Sequence, residues 1–265
     1  MTELIKLCVS GASGRSGSLV VALLHEYPQF QLCGALVAPG SEHYQKVCKT
    51  AQQNSGREVR YTDSVAEAMQ GADAVIDFST PQVSLQILRI AAAIKAPALI
   101  ATTGHSQDER AEIVRLAEQA AVLLASNTST AVFVMQEICL LAQKLCGTDF
   151  DIEIFELHHR LKKDAPSGTA LTLAQTLSQD GALKTRTSRD GKLALREDLE
   201  IGVAALRGGD VPGEHTVFFL GEGERIEVTQ RARDRSVFAR GALRLMLRLH
   251  PKPAALYSVK DLYNR

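Results

Sequence analysis

Residues 4–17, Leu4-Ile-Lys-Leu-Cys-Val-Ser10-Gly11-Ala12-Ser13-Gly14-Arg15-Ser16-Gly17, decide the fold. The run up to Ser10 reads as a buried strand, and the glycines follow it without a break. Beyond them Leu19, Val20, Leu23 and Leu24 recur at helical spacing. Glycines at this spacing alone mark only a tight turn. Strand, glycine turn and helix in that order make them a dinucleotide fingerprint. Gly11 permits the tight turn, Gly14 lets backbone approach a pyrophosphate, and Gly17 allows the helix to pack closely on the strand. Together with Ala12, Ser13, Arg15 and Ser16 they form a candidate cofactor-binding turn.

Working outward, strands and helices alternate. Strands are expected over residues 31–37, 72–78, 98–102 and 121–125, with helices over 65–69, 84–93 and 108–118. That alternation predicts an α/β, Rossmann-like nucleotide-binding domain: a parallel sheet with helices on both faces and ligands at the strand C-terminal ends. The strand over 31–37 runs into Val37-Ala38-Pro39-Gly40-Ser41. It lacks the Asp or Glu that a NAD-type unit usually places there to accept from the adenosine ribose. No carboxylate is placed to repel a 2′-phosphate, and Arg15, Ser41, His43 or Lys46 could contact one. NADPH is therefore expected to be accepted at least as well as NADH.

A chain of 265 residues suffices for one large or two modest domains. Lys plus Arg equals Asp plus Glu, 30 each, which argues against nucleic acid as the main partner. Cys8, Cys33, Cys48, Cys139 and Cys146 are odd in number and widely spaced. That pattern favours buried reduced thiols over disulfides or a zinc site. No signal segment precedes the first strand and no apolar run is long enough to span a bilayer, so the expectation is a soluble cytoplasmic protein without membrane attachment.

A second stretch carries the chemistry: Glu153-Ile-Phe-Glu156-Leu-His158-His159-Arg-Leu-Lys162-Lys163-Asp164-Ala-Pro166-Ser167-Gly168-Thr169-Ala170. Residues 151–157 alternate as a half-buried strand. Ala170, Leu171, Leu173, Ala174 and Leu177 then recur at helical spacing, with Pro166-Ser167-Gly168-Thr169 as the start signal. First-turn N–H groups near Gly168 and Thr169 make a seat for a carboxylate. His158 and Lys162 can donate protons. A loop rich in His, Lys and Arg is more often a solvated turn, and Ser167 an ordinary cap. Their convergence ahead of one helix start favours an acid-catalysis site for a carboxylate-bearing substrate. Metal catalysis is not expected, because His158 and His159 on a strand point to opposite faces and no third ligand is spaced to join them.

The pattern Glu-x-x-Glu-x-His-His-x-x-Lys-x-Asp-Ala-Pro-Ser-Gly-Thr-Ala closely resembles the signature of the dihydrodipicolinate reductase family. The likeness extends over nearly the whole chain. Asp77-Phe78-Ser79-Thr80-Pro81 is similar to the family's Asp-Phe-Ser/Thr-x-Pro, and Arg207-Gly208-Gly209-Asp210 through Gly213-Glu214-His215 to its Arg-x-Gly-Asp-x-x-Gly-Glu-His. Ala101-Thr102-Thr103-Gly104 stands where the family has Gly-Thr-Thr-Gly beside the nicotinamide, and Ala101 adds a methyl group there. Asn127 and Ser129 match the family's Asn-x-Ser-x-Gly hinge, while Thr128 replaces a common aromatic and Ala131 a glycine.

The resemblance implies NADPH- and/or NADH-dependent reduction of (2S,4S)-4-hydroxy-2,3,4,5-tetrahydrodipicolinate, a small cyclic dicarboxylate, to tetrahydrodipicolinate in the diaminopimelate/lysine pathway. It assigns His158 and Lys162 as the acid/base pair, with Lys162 the donor. His159 would contact one carboxylate, and Gly168 and Thr169 the other. Ala101, Thr102, Thr103, Ala125, Ser126, Asn127 and Thr128 would join the glycine turn at the cofactor. It also implies a discontinuous nucleotide domain over 1–127 and 237–265. A smaller α+β substrate and oligomerisation domain over 128–236 would carry a mixed sheet and build a homotetramer. Two other readings stand beside this one: an amino-acid dehydrogenase-like oxidoreductase of the same plan, and a non-enzymatic NAD(P)H sensor. The first would lack the Lys-x-Asp-Ala-Pro-Ser-Gly-Thr run; the second would not need His158 or Lys162.

Overall fold

A computed structural model describes residues 4–49, 58–178, 181–187, 189 and 195–263. The chain forms two compact units. One comprises Met1–Ser129 with Arg235–Arg265, and the other Thr130–Asp234.

The first unit is a parallel sheet of seven strands. These are β1 (Ile5–Ser10), β2 (Phe30–Leu36), β3 (Tyr61–Thr62), β4 (Ala74–Asp77), β5 (Ala98–Ile100), β6 (Ala121–Leu124) and a late addition, β12 (Ala255–Tyr257). Their order is β12-β6-β5-β4-β1-β2-β3, so the winding reverses between β1 and β4, the crevice where such sheets take dinucleotides. Both faces are covered, and the strands accordingly read as unbroken apolar runs rather than alternations. Leu7, Val9, Ile76, Leu99 and Leu123 face α1 (Gly17–Leu23) and α7 (Ser236–Leu249). Cys8, Val75, Ile100 and Val122 face the opposite layer, built by α2 (Val65–Ala68), α3 (Pro81–Ile94) and α4 (Gln107–Leu116).

Local signals explain the helix starts. Ser106 closes a full capping box with Glu109 at the head of α4, satisfying two otherwise orphaned donors. Helix α3 begins at Pro81, three residues ahead of the apolar periodicity, because proline suits the first helical position. Strands β3 and β12 were not expected: two and three residues are too short for any periodicity to register.

The second unit is a mixed sheet in the order β11-β10-β7-β9-β8. Its strands are β7 (Asp151–His158), β8 (Lys184–Arg186), β9 (Glu200–Arg207), β10 (Glu214–Leu220) and β11 (Arg225–Arg231). β10 pairs antiparallel with both β7 and β11, whereas β7 and β9 run parallel. Helices α5 (Thr130–Cys146) and α6 (Gly168–Leu177) cover one face, burying Met135, Cys139, Leu173 and Leu177 against Ile152, Ile154, Val203, Val217 and Phe219. The alternation of β7 thus sends Ile152, Ile154, Glu156 and His158 under the helices. Asp151, Glu153, Phe155 and Leu157 project from the other face.

Among the described residues no cysteine is in a disulfide; Cys8, Cys48 and Cys139 are buried, and Cys33 and Cys146 are half-buried. Among the described residues no helix is long and apolar enough to cross a membrane.

Candidate active site

The predicted residues fall into two groups, one in each unit. In the first unit the sheet is parallel, so the loops after β1, β4, β5 and β6 leave from the same edge. The glycine turn follows β1 directly. Gly11 has φ +68, and a Cβ there would sit 2.3 Å from the Phe78 carbonyl oxygen. A Cβ on Gly17 would sit 2.1 Å from the Gly11 carbonyl oxygen. Neither position has room for a side chain. Among the described residues the backbone N–H groups of Ser13, Arg15 and Ser16 have no hydrogen-bond partner. A glycine-lined turn with unspent N–H donors fits the pyrophosphate of a dinucleotide.

Next to it lies an arrangement that reading the sequence missed. Asp77, at the end of β4, is fully buried. Its Oδ1 accepts from the Ser79 hydroxyl at 2.5 Å. Its Oδ2 accepts from the hydroxyls of Ser84 at 2.5 Å and Thr102 at 2.7 Å. Thr102 in turn accepts from the Ser79 N–H at 2.9 Å. One carboxylate thereby ties together the loops after β4 and β5 and the first turn of α3. The Asp-Phe-Ser triplet held the signal, since a carboxylate closing an apolar strand must find donors.

Ala101 donates its N–H to the Asp77 carbonyl at 2.9 Å, and Ala125 to that of Ile100 at 3.0 Å, so both lie on continued ladder positions. The Asn127 side chain accepts from the Ser129 N–H at 2.8 Å. Thr128 is 2 % exposed, and its hydroxyl donates to the Phe238 carbonyl at 2.7 Å. Its side chain is committed to α7 through a hydroxyl that a phenyl ring would lack.

In the second unit His158 ends β7, and the chain then turns through His159, Lys162 and Asp164 to the Ser167 cap of α6. Ser167 accepts from the Ala170 N–H at 3.2 Å, and the Ala165–Pro166 peptide bond is cis. Gly168 is exposed with open space around its Cα, and Thr169 is half-buried. The start of α6 is therefore accessible. The Lys162 ammonium contacts both oxygens of Asp164 at 2.9 Å with its side chain 21 % exposed. That pairing holds the Asp164 carboxyl below its usual range. His159 donates its N–H to the Val211 carbonyl at 2.8 Å and is half-buried.

Behind these groups lies a buried polar cluster. Glu156 is 0 % exposed. Its Oε1 accepts from Ser167 N–H at 3.0 Å and Arg207 Nη2 at 2.8 Å; its Oε2 accepts from Arg207 Nη1 at 2.9 Å and from His158 Nδ1. Burial works to raise the Glu156 carboxyl, but the Arg207 fork and the imidazole outweigh it and hold it below the ordinary range. His158 itself is pushed down, chiefly by burial, with the Lys162 and Arg207 charges adding to the effect against Glu156. The His215 ring meets the His158 ring edge-on at 5.2 Å between centroids. Its Nε2 lies 3.2 Å from the Ser167 hydroxyl, and burial, aided by His158, pushes its pKa down to about 4. Lys162, His158 and His215 thus share one electrostatic neighbourhood with the start of α6. Glu156 received no role from the sequence, although residues two apart on a strand share a face and could have paired it with His158. Arg207 comes from a distant strand and gave no such signal. Among the described residues no group of three His, Cys, Asp or Glu side chains could hold a metal ion.

Comparison with known proteins agrees across the whole chain. The family model for the dihydrodipicolinate reductase N-terminus matches residues 5–128, and that for its C-terminus residues 131–263. The 4-hydroxy-tetrahydrodipicolinate reductase of Anaeromyxobacter dehalogenans strain 2CP-1 is 40 % identical over 97 % of this chain and 96 % of its own. The enzyme of that name from Citrifermentans bemidjiense is 38 % identical over 97 % and 98 %. Among solved structures, dipicolinate-bound dihydrodipicolinate reductase from Paenisporosarcina sp. TG-14 superposes with a TM-score of 0.74. It does so at 20 % identity, over 99 % of this chain and all of that one, a likeness of fold.

Proposed function

The chain belongs to the dihydrodipicolinate reductase family, and from that premise we propose how its residues serve the reaction. The protein is an oxidoreductase of the diaminopimelate/lysine route. It reduces (2S,4S)-4-hydroxy-2,3,4,5-tetrahydrodipicolinate to tetrahydrodipicolinate with NAD(P)H. Overall, a hydroxyl is exchanged for hydrogen: a hydride and a proton are consumed and the oxygen leaves as water. When bound, the dinucleotide supplies the hydride. The protein must supply binding, orientation and the proton.

Gly11, Ala12, Ser13, Gly14, Arg15 and Ser16 hold the cofactor phosphates in this reading, through the unspent N–H groups of the turn. Ala101, Thr102, Thr103 and residues 125–128 line the remainder of its path. Lys162 donates the proton, and its charge draws the dianionic substrate. His158 is its partner in the acid/base pair and tunes it, His159 meets one substrate carboxylate, and Gly168 and Thr169 receive the other at the start of α6. The single observation that carries this assignment is the gathering of Lys162, His158 and an accessible helix start around the Glu156–Ser167 bond. The dipicolinate held by the Paenisporosarcina protein is itself a small cyclic dicarboxylate. The direct test is oxidation of NADPH, and separately of NADH, in a coupled assay that generates the substrate in place. Cofactor binding without substrate-dependent oxidation would point instead to a sensor.

The same assay decides cofactor choice. Val37 is buried and apolar, Ser41 caps its own turn by accepting from the His43 N–H at 3.2 Å, and Lys46 and Arg15 are exposed. We expect kcat/KM with NADPH to equal or exceed that with NADH; a strong preference for NADH overturns the argument from Val37. We also propose a homotetramer assembled through the face of the second sheet opposite α5 and α6. Phe155, Leu157, Leu206 and Leu220 all project there, and Leu206 is 52 % exposed. Light scattering should give four times the chain mass, and a monomer at micromolar concentration would refute it.

A further inference from the structure

The Glu156–Arg207 fork has no part in the assignment above, yet every polar atom of its carboxylate is spent on the catalytic unit. An ionised carboxylate can only accept. With Oε2 against Nδ1 of His158, that nitrogen must carry the proton, and the neutral ring has its lone pair at Nε2. Space is kept on that side: a Cβ on Gly213 would lie 2.9 Å from Nε2, and Gly213 has φ +157.

A buried carboxylate also raises its imidazole's affinity for a second proton. Burial opposes this, and Arg207 opposes it further. Its two terminal nitrogens take both oxygens of Glu156 at 2.8 and 2.9 Å. The same nitrogens are fixed by the Asp164 and Leu206 carbonyls at 2.6 Å.

We propose that Glu156 and Arg207 are positioning residues: the carboxylate fixes the Nδ1–H tautomer of His158, and the guanidinium cancels its charge so that the imidazole stays neutral with Nε2 free. The proposal rests on His158 serving the reaction. The other groups around this ring are Lys162 from the turn, already paired with Asp164, and His215 from β10. His215 lies beside Ser167 of the α6 cap and Gln230 of β11. Burial and the Lys162 and Arg207 charges disfavour a positive charge on His158. Glu156 favours it, and Glu156 has the Arg207 guanidinium clamped to it from behind.

The test is a nitrogen-15 histidine NMR titration of the whole protein, with His158 assigned by its loss in His158→Asn. In the unaltered protein the expected resonance pair is that of a neutral ring protonated at Nδ1. In Arg207→Met the Glu156–His158 pair should take up its proton about one pH unit higher, a tenfold gain in proton affinity. The acid limb of kcat/KM should move by the same amount. In Glu156→Gln/Arg207→Met, which leaves no orphan charge, the tautomer preference should be lost and kcat should fall more than KM. An Nε2–H tautomer in the unaltered protein, or an unmoved midpoint in Arg207→Met, overturns the proposal. The first of these needs no variant to fold. Full activity in His158→Asn would instead refute the role of His158 while leaving the tautomer measurement standing, so the two failures are distinct.

Discussion

Lys162→Ala lowers kcat by about 10²–10⁴-fold, the span that a positioned general acid contributes, and raises the KM for substrate as well. Two physical losses add. The proton donor disappears, and so does a cation that attracts a dianion. A third follows from the geometry: both oxygens of Asp164 rest on the Lys162 ammonium, so its removal leaves a carboxylate facing an anionic substrate. Lys163 is exposed, and Lys163→Ala should change little, which separates the loss of this particular ammonium from a general loss of positive charge. Steady-state kinetics across pH measures both variants. Near-normal turnover in Lys162→Ala would mean that the proton comes from elsewhere.

Gly17→Val should nearly abolish use of either cofactor while leaving the second unit folded. A Cβ at Gly17 falls 2.1 Å from the Gly11 carbonyl oxygen, 2.7 Å from its carbon and 3.1 Å from the Ala12 Cα. Every one of these is backbone, so no side chain can swing aside. Either the turn or α1 must move, at a cost of about 1–3 kcal/mol or more for overpacking. Since 1.4 kcal/mol is tenfold in binding, cofactor affinity should fall by roughly 10- to 100-fold or beyond. Titration of NADPH and NADH by fluorescence reads this directly. Undiminished affinity for both would show that the phosphates lie elsewhere.

Much of the fold was legible because its signals are local and periodic. Buried parallel strands appear as apolar runs, β7 as an alternation, and helices α3, α4 and α6 carry start signals at Pro81, Ser106 and Ser167. Strands β3, β8 and β12 escaped notice because edge strands of two or three residues hold no full period. The site divides along the same line. His158, Lys162 and the α6 start lie within one short run and were found together. Arg207, 51 residues beyond Glu156, reaches it only because β9 pairs parallel with β7 and sets His158 opposite Arg207. Register is a property of the sheet, and neither strand announces it alone. The triple-hydroxyl cradle of Asp77 was hidden for a similar reason, since Ser84 and Thr102 come from different elements. Thr128, a departure from the family pattern, proves to be a hydrogen-bonding bridge to Phe238 through a hydroxyl that a phenyl ring would lack.

The first unit begins at the start of the chain and is finished by its last thirty-odd residues. Its central strands bury Leu7, Ile76 and Leu99 in a core with Leu243, Met246 and Leu249 of α7, and β12 supplies the strand beside β6. The ribosome delivers residues 1–129 long before any of these. During synthesis, therefore, the nucleotide-binding sheet waits with one face covered only by α1 and the edge beyond β6 unpaired, whereas the described residues of 130–234 carry their own sheet and its covering helices. The later-made unit can fold first, and the earlier-begun one is completed only once α7 and β12 have been made.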